Sequence, residues 1–246
     1  MDRKMFEDAS ALSREIGEEI IRDLERNPKQ LLCIAAGHTS LGVFWHLIDA
    51  YRAGRADFSK ASFVAMDEWL GMSCHTPESC GSFLVERFLS QVNYRHQNVR
   101  LWDGMALDLE QECAQVLRFI REHGGSIDYL VLGVGMNGHL ALNEPGTEWE
   151  ASAHVCALDP ITQKVGQKYF SQATSLKGGI TLGLADFRAA GRSVLAVTGE
   201  NKAEILKRIL DCAAPDKQIP ATALYAFENA SLYWDREAGA GIHVRK

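Results

Sequence analysis

The chain has 246 residues, 46% hydrophobic and 24% charged, enough for a full α/β core and ordinary enough to fold as one domain over 1–246. Its 32 acidic and 26 basic residues include no basic run, which argues against nucleic acid as a partner, and no apolar segment suits a membrane span. The six cysteines show no C-x-x-C pair or zinc-type spacing, so they read as reduced thiols with no metal site; with no charged-then-apolar leader, the expectation is a cytoplasmic protein.

From Glu7 to Arg26, Ala11, Leu12, Ile16, Ile20, Ile21 and Leu24 recur at helical spacing among charges, an amphipathic covering helix ended by Asn27 and Pro28. Leu31 to Ala36 reads as a strand, and the turn Gly37-His38-Thr39-Ser40 leads into a helix from Leu41 to Tyr51. Such a turn can offer N–H groups and hydroxyls to an anion at a helix N-terminus, although glycine and serine also serve there for capping alone. Ala61 to Met66 is a second strand tipped by Asp67 and Glu68. Asp67 fits a carboxylate aimed into a crevice and fits a helix cap equally well. Pro77 opens a helix through Leu89, Val99 to Trp102 is a short strand, and Leu107 to His123 is a long amphipathic helix.

The stretch from Ile127 to Gly146 organises the rest. Tyr129 to Val134 lacks polar alternation and ends at Gly133 and Gly135, as expected of a strand buried on both faces of a parallel sheet. Asn137, Gly138, His139, Asn143 and Glu144 follow on a turn pinned by Pro145, where open α/β sheets place their ligands. An imidazole and a carboxylate so close on a constrained turn can orient each other for proton transfer near neutral pH.

Gly146 to Gly179 has no clear period, and Leu158 to Gly179 reads as a mobile lid. Ile180 to Leu184, with Asp186, begins a turn-helix element; Ser193 to Thr198 is a strand; Gly199 to Lys202 opens a helix to Leu210. A lysine at a helix start opposes the macrodipole unless an anion lies between them, so Lys202 is a stronger anion candidate than Lys168, by residue type a solvated charge. Ala230 to Asp235 is the last strand, and the glycine-rich tail from Gly239 is peripheral. The alternation predicts a single-domain, modified Rossmann-like, mostly parallel sheet flanked by helices, with a lid.

The run G-x-G-x-N-G-H-L-A-L-N-E-P at Gly133 to Pro145, V-A-M-D-E-W at Val64 to Trp69 and P-E-S-C-G-S-F at Pro77 to Phe83 carry a resemblance. Together they closely resemble the glucosamine-6-phosphate deaminase/isomerase family, in particular its galactosamine-6-phosphate isomerase branch. The resemblance extends from about the first strand to near the C-terminus. It implies a small sugar phosphate as partner, no cofactor, and conversion of an amino sugar 6-phosphate to a ketohexose 6-phosphate and ammonia. It further implies that His139, oriented by Glu144, opens the sugar ring, that Asp67 moves the C2 proton, and that Gly37, His38, Thr39, Ser40, Lys168 and Lys202 hold the phosphate. Glu68 falls outside this set, because neighbours on a strand point to opposite faces.

Four departures from the family pattern bear on these expectations. The 37–40 turn reads G-H-T-S where T-G-G-T-P is common, Lys168 replaces arginine's planar fork with a point charge, and Asn137 stands where many relatives have aspartate. That asparagine is a mark of the galactosamine branch. Ala153-His154-Val155-Cys156 lacks the basic residues of allosteric relatives, which implies no activation by an acetylated amino sugar phosphate. A 6-phosphogluconolactonase shares the Gly-His turn, but its motif continues towards Ser-Leu-Phe-Pro without the acid of Asn143-Glu144-Pro145. A sugar-phosphate-sensing module of a transcription regulator is the alternative from another class, and the residues leave a homo-oligomer open.

Overall fold

In the computed structural model, which describes residues 1–242, strand and helix alternate along most of the chain. The polar opening forms β1 (Asp2–Phe6), and Asp8 caps α1 (Ala9–Arg26) by accepting from the Ala11 N–H at 2.7 Å. Then come β2 (Leu31–Ile34), α2 (His38–Arg52), β3 (Ser62–Val64), β4 (Asp67–Trp69) and α3 (Cys80–Arg87). β5 (Val99–Arg100), α4 (Leu109–Glu122) and β6 (Tyr129–Leu132) follow. The last part holds β7 (His154–Ala157), α5 (Pro160–Gly166), β8 (Gly178–Thr181), α6 (Leu184–Arg188), β9 (Arg192–Val197), α7 (Ala203–Asp211) and β10 (Ala230–Asp235).

Seven strands form one parallel sheet in the order β1-β10-β9-β6-β2-β3-β5. Every residue of β2 and β6 is buried, which is why their sequences show no polar alternation. From β2 the chain builds outward through β3 and β5; from β6 it builds the other way through β9 and β10. The order therefore reverses between β2 and β6, which pair directly through Ile34 and Val131, and the crevice beyond their carboxyl ends is where such sheets bind ligands. β1 was not evident in the sequence. It is a sheet edge, paired on one side with β10, so Asp2, Arg3 and Lys4 stay exposed and no apolar signal arises.

Two expectations are corrected by a second, antiparallel sheet of order β4-β8-β7. The strand expected from Ala61 to Met66 ends at Val64, and Asp67 opens β4, opposite Thr181 of β8, instead of tipping the main sheet. The stretch from 146 to 179 is not irregular: it contains β7, α5, a tight turn at 167–169 and the start of β8. A helix of 7 residues has too few turns for its period to stand out, yet Asp159, accepting from the Ile161 N–H at 2.7 Å, and Pro160 mark its start. Of the glycine-rich tail, residues 239–242 are half-buried or exposed, and residues 243–246 lie outside the described ones. Among the described residues no helix is long and apolar enough to cross a membrane.

Candidate active site

Two turns leave β2 and β6 side by side at the reversal. After β2, helix α2 begins at His38, earlier than expected, so His38, Thr39 and Ser40 form its first turn behind Gly37. No side chain caps this helix, which leaves backbone N–H groups and the positive end of the dipole facing the crevice. The His38 ring stacks on Tyr169 with centroids 5.3 Å apart. Burial lowers the pKa of His38, and the charges of Lys168 and Arg87 lower it further.

Lys168 and Lys202 converge on the same place. Lys202 Nζ donates to the Val134 carbonyl at 2.7 Å, and Lys168 Nζ lies 4.9 Å from the Tyr169 ring centroid; a carbonyl and a ring face hold them. Burial, with the charge of Lys168 added, pushes Lys202 down to about 8, and burial also lowers Lys168. Two partly desolvated ammonium groups on one cavity, one of them lowered by the charge of the other, favour an anion between them. Arg87, at the end of α3, adds to this positive field and was not picked out from the sequence; nothing local distinguishes it from a solvated helix charge.

After β6 the glycines have specific tasks. A Cβ on Gly135 would sit 2.2 Å from His139 Cε1, so the imidazole lies directly against that backbone. Gly138 has φ +95°, a conformation side chains rarely adopt, and a Cβ there would meet Ile219 Cγ2 at 2.9 Å. Ala141, with φ 53°, is a non-glycine residue in the left-handed region and lines the cavity. Asn143 donates to the carbonyls of Leu140 (3.0 Å) and Leu182 (2.8 Å), so it braces the turn and does not face the cavity.

His139 Nδ1 lies 3.0 Å from Thr162 Oγ1 and 3.5 Å from Glu144 Oε2. Asn137 ties the turn together: its amide donates to Glu144 Oε2 at 2.8 Å, and its carbonyl accepts from the His139 N–H at 3.2 Å. Burial pushes the Glu144 pKa up, but His139 by hydrogen bond and charge, with Thr162 and Asn137, outweighs it and holds Glu144 below the ordinary carboxylate value. Glu144 Oε1 is buried without a partner. Thr162 was missed in the sequence. Its helix is short and its partner lies in a distant turn, so only the Asp159-Pro160 start signal could have flagged the segment.

Asp67 faces the same cavity from β4. Burial pushes its pKa up to about 7, and the charge of Glu68 adds to the rise against an opposing hydrogen bond from Cys80. Glu68 points away, as expected: fully buried, it accepts from the N–H groups of Cys80 (3.0 Å) and Gly81 (2.8 Å), anchoring the start of α3. Thus the 37–40 turn, Asp67, His139, Lys168 and Lys202 line one cavity of about 930 Å³, counted with the open space at its mouth. Asn137 and Glu144 stand behind His139 and do not line it. A family model described as glucosamine-6-phosphate isomerases/6-phosphogluconolactonase matches residues 6–234.

The chain belongs to this family. It is 34% identical over 232 residues to a glucosamine-6-phosphate deaminase of Thermoanaerobacter sp. (strain X514), covering 94% of this chain and 91% of that one. It is 31% identical over 238 residues to the enzyme of the same name from Clostridium novyi (strain NT), covering 96% and 98%. The solved structure of a monomeric glucosamine-6-phosphate deaminase superposes with a TM-score of 0.93 at 27% identity, over 98% of this chain and 99% of that one. A 6-phosphogluconolactonase from Thermotoga maritima superposes with a TM-score of 0.74 at 19% identity, over 96% and 99%, and shares the fold. Family membership thus joins two chemistries on one scaffold, and the residues of the site must separate them.

Proposed function

We propose that the protein is an amino sugar 6-phosphate deaminating isomerase, converting a 2-amino-2-deoxyhexose 6-phosphate and water to a ketohexose 6-phosphate and ammonia. The observation that carries this reading is the meeting of Asp67 and His139 in one cavity with Lys168 and Lys202. The phosphate sits against the start of α2, Lys168 and Lys202, and that remote binding energy holds the sugar over the reacting groups.

His139 acts first: it takes the O1 proton and delivers it to O5 as the C1–O5 bond breaks, giving the open-chain aldehyde. Asp67 then removes the C2 proton, made acidic by the adjacent carbonyl, and returns it to C1, while one N–H proton of the amine passes to O1, which becomes a hydroxyl. Water hydrolyses the resulting C2 imine to the ketone and ammonia. An aspartate whose pKa stands at about 7 is a better base than an ordinary carboxylate and is still ionised in a large fraction at neutral pH. A lactonase needs no base at C2 and no acid at the Glu144 position, so both carboxylates support the deaminase reading.

Two considerations bear on the C4 epimer. Asn137 supports galactosamine 6-phosphate by its resemblance to that branch, whereas the relatives named above are glucosamine-6-phosphate deaminases. The protein incubated separately with each epimer is expected to release ammonia with the ketohexose 6-phosphate, and the ratio of kcat/KM assigns the preference. Hydrolysis of 6-phosphogluconolactone with no ammonia from either amino sugar overturns the proposal.

A further inference from the structure

The structure uses the two nitrogens of His139 differently. Nδ1 faces Thr162 Oγ1 at 3.0 Å, while Glu144 Oε2 lies farther off, at 3.5 Å. Nε2 is left for the cavity that the ring lines. The direct partner of the inner nitrogen therefore comes from α5, not from the turn that carries the histidine. Thr162 is 4% exposed, so its hydroxyl has no solvent to satisfy it and must be shared among the groups around it.

A hydroxyl has one proton to donate and two lone pairs. A base at Nε2 needs that nitrogen unprotonated, so the proton of the neutral ring sits on Nδ1, and the nearest acceptor for it is the Thr162 hydroxyl oxygen at 3.0 Å. The Asn137 amide approaches Thr162 Oγ1 at 3.5 Å as a further donor. The hydroxyl oxygen has two lone pairs with which to accept from Nδ1, in the neutral ring and in the imidazolium alike. An Nδ1–H accepted in this way leaves the free lone pair on Nε2, the form that can take a proton from substrate.

Resting on the deaminating-isomerase reading, we propose that Thr162 is a positioning residue: its hydroxyl oxygen accepts from His139 Nδ1 and holds the imidazole as an Nε2 base. Ring opening then requires α5 to be seated over the site. The helix is held there by neighbours on several sides. Gly166 packs against Leu176 and Trp69, Tyr169 stacks on His38, and Glu78 accepts from the Ser171 N–H at 3.0 Å. The step is balanced: the O1–H bond breaks to Nε2, C1=O forms as C1–O5 breaks, and Nε2–H returns the proton to O5. The passing imidazolium is stabilised at Nδ1 by Thr162 Oγ1 and by the nearby charge of Glu144, and the histidine ends neutral.

The test compares T162V, which keeps the shape and removes the hydroxyl, with T162S, which restores it. With the amino sugar phosphate that the wild type deaminates, T162V should lose about tenfold or more in kcat while KM stays within about twofold, since a hydrogen bond to a charged group is removed from the reacting state only. T162S should recover to within about threefold of the wild type. An acyclic alditol 6-phosphate, which needs no ring opening, should bind wild type and T162V alike. If valine disturbs α5, T162S against T162C still decides, because cysteine has nearly the volume of threonine but its sulfur is a weak acceptor: T162C should lose kcat as T162V does, and equal kcat in T162S and T162C overturns the role. Wild-type kcat in T162V, or a loss confined to KM and alditol affinity, overturns the positioning role. A wild type that releases no ammonia from either epimer overturns the parent activity instead, and is read before any variant.

Discussion

Two carboxylates, Asp67 lining the crevice and Glu144 behind His139, respond to burial in opposite ways. Asp67, on β4, is pushed up to about 7 by burial and by Glu68, whereas Glu144, on the turn after β6, is held below its ordinary value although burial acts on it too. The difference lies in the partners. Glu144 has His139, Thr162 and Asn137 around it; Asp67 has a like charge beside it and a weak hydrogen bond from Cys80. Burial makes a carboxylate basic only where no donor answers it, so the site sets a basic carboxylate on the cavity wall and a charged one behind the imidazole.

The comparison breaks most sharply at Asp67. Asp67→Asn is expected to lower ammonia release by about 10²- to 10⁴-fold, the usual range for a lost general base. Solvent-deuterium exchange at C2, followed by NMR, should vanish while inorganic phosphate still binds; retained exchange removes Asp67 from the base role. Glu144→Gln keeps the shape of the second acid and removes its charge, so kcat is expected to fall by about 10- to 100-fold, the worth of a charge-assisted hydrogen bond. Unchanged turnover in that variant would show that His139 works without its carboxylate.

The smallest effect is in stability, and its sign differs between the two acids. Asp67, raised in the folded state, binds its proton more tightly folded than unfolded, so its ionisation makes stability fall as pH rises from about 4 towards 7. Glu144, lowered in the folded state, contributes stability above its unfolded pKa that is lost as pH falls through the folded one. At pH 8, Asp67→Asn is therefore expected to raise the Tm and Glu144→Gln to lower it, each by about 2–4 °C. Thermal melts at pH 5 and pH 8 check this; shifts of the same sign at pH 8 would mean that burial, not partnership, governs both acids.

How far the site was legible follows from the range of its interactions. The turn after β6 was legible because its requirements are local: Gly135 admits the His139 ring, Gly138 supplies a positive φ, and Asn137 and Glu144 meet within a few residues. Lys202 was legible through a local conflict with a helix start, and Glu68 through the alternation of a strand. Asp67 was placed at the right crevice but on the wrong sheet, because two short strands separated by Ala65 and Met66 read as one apolar run. β1, Arg87 and Thr162 carry no local signal: an edge strand needs no apolar face, and a threonine on a short helix looks like any other.

The sequence by itself determined the parallel α/β plan and the two glycine-bearing turns, and it named the candidate titratable groups, because burial patterns and backbone constraints act over a few residues. Only the tertiary structure decided which way each acid's pKa moves and which hydroxyl reaches His139. Those depend on groups brought together from β4, α3, α5 and the turn after β6, and Coulomb and hydrogen-bond energies follow distance in space, not separation along the chain.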